Sequence, residues 1–214
     1  MHSKIYAVLI ADVVESSFRR DLRGVLGKKL SDASKKHLHR NLIRLPYSVT
    51  AGDEFQGVSS CLSSLPAILL DLRATLRPLS LRIGVGFGHI PERIQAPVNR
   101  LGGEAFQFAR KAIEEIKTNA LFKFPVLTAF HSRNQGFDST INLLYGLHDT
   151  LLRRITAKQW EAIEVFRGHA TLEHAAKRLQ LDTSTISRNL KRGYYWQLSE
   201  TVEVAGSLIT RSFQ

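Results

Sequence analysis

The sequence has one cysteine, Cys61, in 214 residues. A lone thiol closes no internal disulfide, so a small disulfide-stapled secreted domain is excluded, and no cysteine-rich zinc site is available. Six prolines and fourteen glycines leave no room for a long flexible linker. No apolar run approaches the roughly 18 residues of a membrane-spanning helix. The first apolar stretch, residues 5–11, is too short for a signal-peptide core and runs into Asp12. These absences predict a soluble cytoplasmic protein with no membrane partner. The composition is ordinary: 43% hydrophobic and 23% charged, which excludes a disordered or collagen-like chain. The length suits one medium domain and one small one.

Charge is the first positive signal. Thirty Lys and Arg face nineteen Asp and Glu, a net charge of +11. Such a balance favours a polyanionic partner over a neutral one. The excess has two foci. Residues 18–44 hold nine Lys or Arg against two Asp, and residues 151–214 hold ten against six acids.

Apolar periodicity divides the chain. Lys4–Asp12 reads as a buried strand. Ser17–Leu45 carries leucines at three- and four-residue spacings, an amphipathic helix ended by Pro46. His37 and His39 fall in its polar run and are expected at the surface. Tyr47–Ala51 and Phe55–Ser59 flank Gly52-Asp53-Glu54 as a hairpin. Helices are predicted over Ser63–Arg77, Gly103–Lys117 and Gly136–Leu152, and strands over Leu79–Gly88 and Phe124–Phe130. The fold class is therefore α+β for residues 1–150, followed by a small all-α domain over 151–214.

Asp12 closes the first strand and Asp53 sits at the hairpin tip. If those strands are neighbours, both carboxylates reach one edge, where a hard divalent cation relieves their repulsion. Gly52 lets the backbone approach closely and Glu54 is placed to orient the ion. A plain turn needs the same residues.

Four segments in order carry a resemblance. Residues 11–17 (ADVVESS), 51–55 (AGDEF), 81–86 (LRIGVG) and 103–111 (GEAFQFARK) resemble the class III nucleotidyl cyclases and their GGDEF relatives. The combination with a short helical C-terminus resembles the SatD family. The resemblance implies a ferredoxin-like cyclase-type domain, with Asp12 and Asp53 as ligands of Mg²⁺ or Mn²⁺. It also implies a phosphate cradle at Ser16, Ser17 and Gly52, to which Arg19 and Arg20 add charge. The other positions depart from the cyclase pattern. The adenine-reading Lys is Val49, the base-reading Asp is Arg100, the ribose-orienting Asn is Gln107, and the transition-state Arg is Lys111, with Arg110 beside it. Cyclisation needs an oriented hydroxyl and a cation on the developing charge, so these departures imply a nucleotide-binding domain without cyclase activity. The alternative is an active metal-dependent cyclase that uses Gln107, Arg110 and Lys111.

The C-terminal segment predicts helices over Ala157–Phe166, Leu172–Leu179 and from Thr183 or Ser184 to about Tyr194. Thr156 and Gln159 form a capping box. Residues 172–192 (LEHAAKRLQLDTSTISRNLKR) resemble a helix-turn-helix, with Gln180 at the usual turn glycine and Leu179, Leu181, Ile186 and Leu190 as core. That motif implies DNA as partner, read by Ser184, Thr185, Ser187 and Arg188, with Lys191 and Arg192 on phosphates. The following Tyr194-Tyr195-Trp196 and residues 202–209 read as core of a wing or fourth helix. The expected protein is a homodimeric, DNA-binding transcription regulator that binds a nucleotide or cyclic nucleotide.

Overall fold

The computed structural model describes residues 4–14, 22–50, 52–91, 93–95, 97–169 and 171–213. Strands β1 (Tyr6–Val13), β2 (Ser48–Val49), β3 (Phe55–Ser59), β4 (Leu81–Gly88) and β5 (Thr128–His131) form one sheet in the order β2-β3-β1-β4-β5. The central β1 is antiparallel to β3 and β4, and β5 joins β4 in parallel. Helix α1 (Leu22–His39) follows β1 and α2 (Leu65–Thr75) follows β3. The first four strands and these helices make the ferredoxin-like α+β arrangement that the sequence predicts.

β1 is apolar on both sides because both sides are covered. Leu9, Ala11 and Val13 face a core built with α1, α2, α4 (Gln135–Leu152) and α8 (Tyr195–Phe213). Val8 and Ile10 face α3 (Glu104–Lys117) on the opposite side. Glycines alternate along β4. A Cβ on Gly84 or Gly86 would run into the α3 backbone at Ala105, Ala109 and Ile113, so glycine lets α3 lie directly on the strand. Gly103, at φ +111°, starts α3 in a conformation that suits glycine alone.

Several boundaries differ from expectation. α1 ends at His39, not at Pro46, because Asn41 turns left-handed at φ 55° and Leu42 N–H returns to the His37 carbonyl at 2.9 Å. β2 is short because Tyr47 N–H goes to Ser34 Oγ at 3.0 Å. β5 starts late because Leu127 N–H goes to Asp149 Oδ2 at 2.7 Å. His37 is buried rather than at the surface, between Tyr47 Oη at 2.7 Å and Asp71 Oδ2 at 2.9 Å. Burial pushes the Tyr47 phenol up, and Asp71 adds to that.

A buried guanidinium ties these elements together. Arg73 of α2 donates to the Leu81 carbonyl at 2.6 Å, the Leu127 carbonyl at 3.0 Å and Thr128 Oγ1 at 2.7 Å. Asp149 of α4, fully buried, lies 3.9 Å from it and also accepts from Thr128 Oγ1 at 3.1 Å.

Helices α5 (Ala157–His169), α6 (Leu172–Leu179) and α7 (Thr183–Arg192) pack around Trp160, Ile163, Phe166, Ile186, Leu190 and Leu198. Leu70 of α2 and Leu152 of α4 join that core. α8 is a fourth helix rather than a wing. Its first half seats Leu198 in the bundle, and its second half seats Ala205 and Ile209 in the sheet core. Gly206 lies flush against the Ser63 carbonyl. No described helix is long and apolar enough to cross a membrane.

Removing the Asp149 carboxylate leaves a buried, unpaired guanidinium. Asp149→Ala is expected to lower stability by about 3–5 kcal/mol, measured by denaturant unfolding. A loss below 1 kcal/mol, on the order of a surface substitution, would remove this network from the account.

Candidate functional site

β1 ends beside the turn of the β2–β3 hairpin. Ala11 pairs with Phe55, so the antiparallel register carries Glu54 and Asp53 alongside Asp12 and Val13. Thr50 N–H closes the turn on the Glu54 carbonyl at 2.9 Å, and Gly52 takes φ 59° inside it. The three carboxylates of Asp12, Asp53 and Glu54 thus belong to one edge. Ser16, Ser17, Arg19 and Arg20, the rest of the expected phosphate cradle, lie outside the described residues.

The other neighbour of β1 changes the chemistry. β4 places Arg82 directly opposite Asp12. Arg82 Nε donates to Oδ1 at 2.7 Å and Nη2 reaches Oδ2 at 3.3 Å. Lys117, the last residue of α3, puts Nζ 3.3 Å from Oδ2. Asp12 is 4% exposed, a buried carboxylate offset by two cations. Glu54 is held in the same way. Arg110 Nη1 and Nη2 donate to it at 2.6 and 2.8 Å, and Thr50 Oγ1 donates at 2.9 Å. Burial pushes the Glu54 carboxyl up, but Arg110 and Thr50 outweigh it and hold it below its ordinary value. The same contact raises Arg110. Arg110 therefore points at the carboxylate edge. Lys111 points elsewhere, 62% exposed and 3.9 Å from Glu115, and Gln107 is exposed.

A divalent cation shared by Asp12 and Asp53 would have to displace Arg82 and Lys117, whose charges already do the work of a metal. Among the described residues, no group of three or more His, Cys, Asp or Glu gathers to hold a metal ion. As arranged, this donor set does not fit Mg²⁺ or Mn²⁺. Sequence reasoning passed over Arg82, Lys117 and the Glu54–Arg110 pair. The signal for Arg82 was its register on β4, which only strand pairing supplies.

Lys111 lines a second feature, a cavity of about 770 Å³ shared with Phe108, Phe122, His131 and Arg133. His131 Nε2 meets Glu115 Oε2 at 2.6 Å, and Nδ1 lies 3.6 Å from Asp138 Oδ2. Asp138 favours the imidazolium most, burial opposes it and Glu115 adds to it, so the pKa stands above 6.5.

Caps and a left-handed turn order the C-terminal helices. Thr156 N–H donates to Gln159 Oε1 at 2.9 Å, and Thr171 Oγ1 accepts from His174 N–H at 3.2 Å. Gln180 adopts the left-handed conformation at φ 54°, and Leu181 N–H closes on the Ala176 carbonyl at 3.0 Å. The N-cap of α7 is Asp182 rather than Thr183 or Ser184, because the extended backbone ends one residue earlier. Ile186 and Leu190 anchor one side of α7. Ser184, Ser187, Arg188, Lys191 and Arg192 are exposed on it, and Thr185 is half-buried. Arg188 lies back along its own helix, donating to the Ser184 carbonyl at 3.2 Å and to Thr185 Oγ1 at 3.3 Å. Two expected core residues face solvent, Leu181 at 44% and Trp196 at 58% exposure. Leu181 is in the turn beyond α6, and Trp196 is turned outward at the start of α8.

The sequence model described as the SatD family matches residues 6–200. No curated protein matches the chain. Solved structures give looser likenesses. A bacterial light-regulated adenylyl cyclase aligns at 12% identity and TM-score 0.41, covering 61% of this chain and 77% of that one. A second structure of such a cyclase aligns at 14% identity and TM-score 0.43, covering 61% and 44%. A regulator of polyketide synthase expression from Bifidobacterium adolescentis aligns over 99% of this chain and 82% of its own, at 13% identity and TM-score 0.31. Alignments this loose carry no argument about function.

Two outcomes follow from the charges. Millimolar Mg²⁺ or Mn²⁺ is expected to leave the melting temperature of the protein unmoved, whereas Arg82→Ala/Lys117→Ala gains a Mn²⁺-dependent rise. A Mn²⁺-dependent rise in the unaltered protein would show that the two cations yield to metal. For His131 the folded pKa is the raised one. Its contribution to stability is complete below about pH 6.5 and fades as pH rises through the higher folded value. Denaturation across that window should show the loss in the parent protein and not in His131→Gln.

Proposed function

The chain belongs to the SatD family, and on the form of its C-terminal helices we propose that it is a DNA-binding transcription regulator. The observation that carries this reading is the outer face of α7. Hydroxyls and three cations are presented there on a helix anchored from behind by Ile186 and Leu190, and residues 183–192 include no acid. Hydroxyls of that size suit base edges and phosphates, and the Arg188 guanidinium, exchanging its contacts with Ser184 and Thr185 for a base, suits guanine. Lys191 and Arg192 follow on phosphates. The cyclase-like layer serves as a nucleotide-responsive or dimer-forming platform. The offset of Asp12 by Arg82 and Lys117 supports a platform rather than an enzyme.

Retention of a duplex in a low-salt mobility shift tests the reading. Affinity should fall steeply with salt, and Lys191→Ala/Arg192→Ala should reduce the log–log slope by roughly one for each phosphate that the variant no longer neutralises. Arg188→Ala should cost about 1–3 kcal/mol on a selected site and relax its sequence preference. No retention at low salt would overturn the proposal. A cyclic product formed from an NTP with Mn²⁺ and abolished in Asp53→Asn would overturn the platform reading of the sheet layer and make the chain a cyclase.

A further inference from the structure

Helices α1, α2 and α5 meet around a cleft of about 510 Å³, within the size range of small-ligand sites. It lies on the α1/α2 side of the sheet, opposite the side on which α3 meets Asp12. Five cations line it: Lys29, Lys36, Arg40, Arg77 and Arg167. Two carboxylates do, Asp71 and Glu164.

The local pairing shows which charges remain unused. Lys36 Nζ lies 2.5 Å from Asp71 Oδ1, and the buried His37 lies 2.9 Å from Oδ2. Burial pushes the Asp71 carboxyl up, yet His37 and Lys36 bring it down to about 2. Asp71 is thus an anion fully engaged with its own neighbours. Lys29 Nζ donates to the Thr75 carbonyl at 3.0 Å. Arg77 lies over the Trp160 ring, 5.4 Å from its centroid, and reaches Glu164 at 3.8 Å. Arg40 and Arg167 make no direct ion pair among the described residues, and they belong to different walls. Burial raises the Glu164 carboxyl against the pull of Arg77 and Arg167.

Two guanidiniums without an ion pair among the described residues, one at the end of α1 and one on α5, line the same cleft, and such forks match the oxygens of a phosphate better than those of a single carboxylate. We propose that this cleft binds a phosphate-bearing small molecule, gripped between Arg40 at the end of α1 and Arg167 on α5. The concave form favours a small molecule over a nucleic-acid backbone, for which the convex face of α7 is the better fit. The walls come from both layers, so a ligand that favours one spacing shifts the affinity of α7 for DNA, and DNA shifts the ligand by the same factor. That consequence rests on the regulator reading; the binding does not.

Calorimetric titration of the full chain with pyrophosphate, at constant ionic strength, tests the cleft. Saturable binding is expected, weakened roughly ten-fold or more by Arg40→Ala and by Arg167→Ala. Lys191→Ala/Arg192→Ala should leave it unchanged. Arg40 is exposed, so its loss does not threaten folding, and a pyrophosphate-dependent rise in melting temperature gives a second readout for each variant. Absence of saturable binding overturns the proposal. So does equal binding by the Arg40 and Arg167 variants, or a loss of duplex DNA affinity in them with pyrophosphate binding intact, which would assign the cleft to DNA. Failure of duplex binding in the parent protein sinks the regulator reading alone.

Discussion

Arg73 reaches through the interior from α2 and satisfies the backbone at the starts of two parallel strands, β4 and β5. A charge at that depth is tolerable only with a counter-charge and a full set of acceptors. Asp149 supplies the first, and Thr128 Oγ1 and two carbonyls accept three hydrogen bonds from the guanidinium. Asp149 also takes Leu127 N–H, so one network fixes where β5 begins, where α2 sits and how α4 packs. α4 in turn carries the face on which α8 lies. The position of the C-terminal bundle is thus traceable to a polar cluster under the sheet.

The same electrostatic rule, applied at the far end of β1, decides what kind of site the carboxylate edge is. Buried carboxylates need positive charge close by, and either a metal or protein cations provide it. In this chain Arg82 and Lys117 provide it for Asp12, and Arg110 for Glu54. Lys111, one residue beyond Arg110, pairs with Glu115 on its own helix instead of turning to the carboxylate edge.

The alternating and helical patterns made the strands, the helices and the hairpin legible in the sequence, because each expresses burial directly. What stayed hidden depended on partners remote in the chain. His37 looks like one more polar residue on a basic helix, and only the approach of Asp71 and Tyr47 makes it a core residue. Asp12 looks like a metal ligand until strand pairing brings up Arg82, 70 residues away. Leu181 reads as core from the helix-turn-helix resemblance and Trp196 from its aromatic run, yet the direction of each side chain is set by where a helix starts or stops. The turn residue Gln180 is the converse case. A glycine is the usual residue where a helix ends left-handed, and the chain adopts that conformation with a glutamine.

Two layers that share a helix do not move independently. α8 contributes Leu198 to the bundle and Ala205 and Ile209 to the sheet core, and it presses Gly206 against the Ser63 carbonyl. A displacement of α7 relative to the sheet must therefore shear α8 or bend it near its middle, and close packing resists small continuous shifts of this kind. The layers are free to separate only where polar surface divides them, and the α1/α2/α5 cleft is such a place. Its charges repel one another when it is empty, since five cations there face two carboxylates. An anion bound there offsets that excess where the two layers meet. Because α8 is seated in both cores, any change of spacing at the cleft is shared by the sheet layer and the bundle.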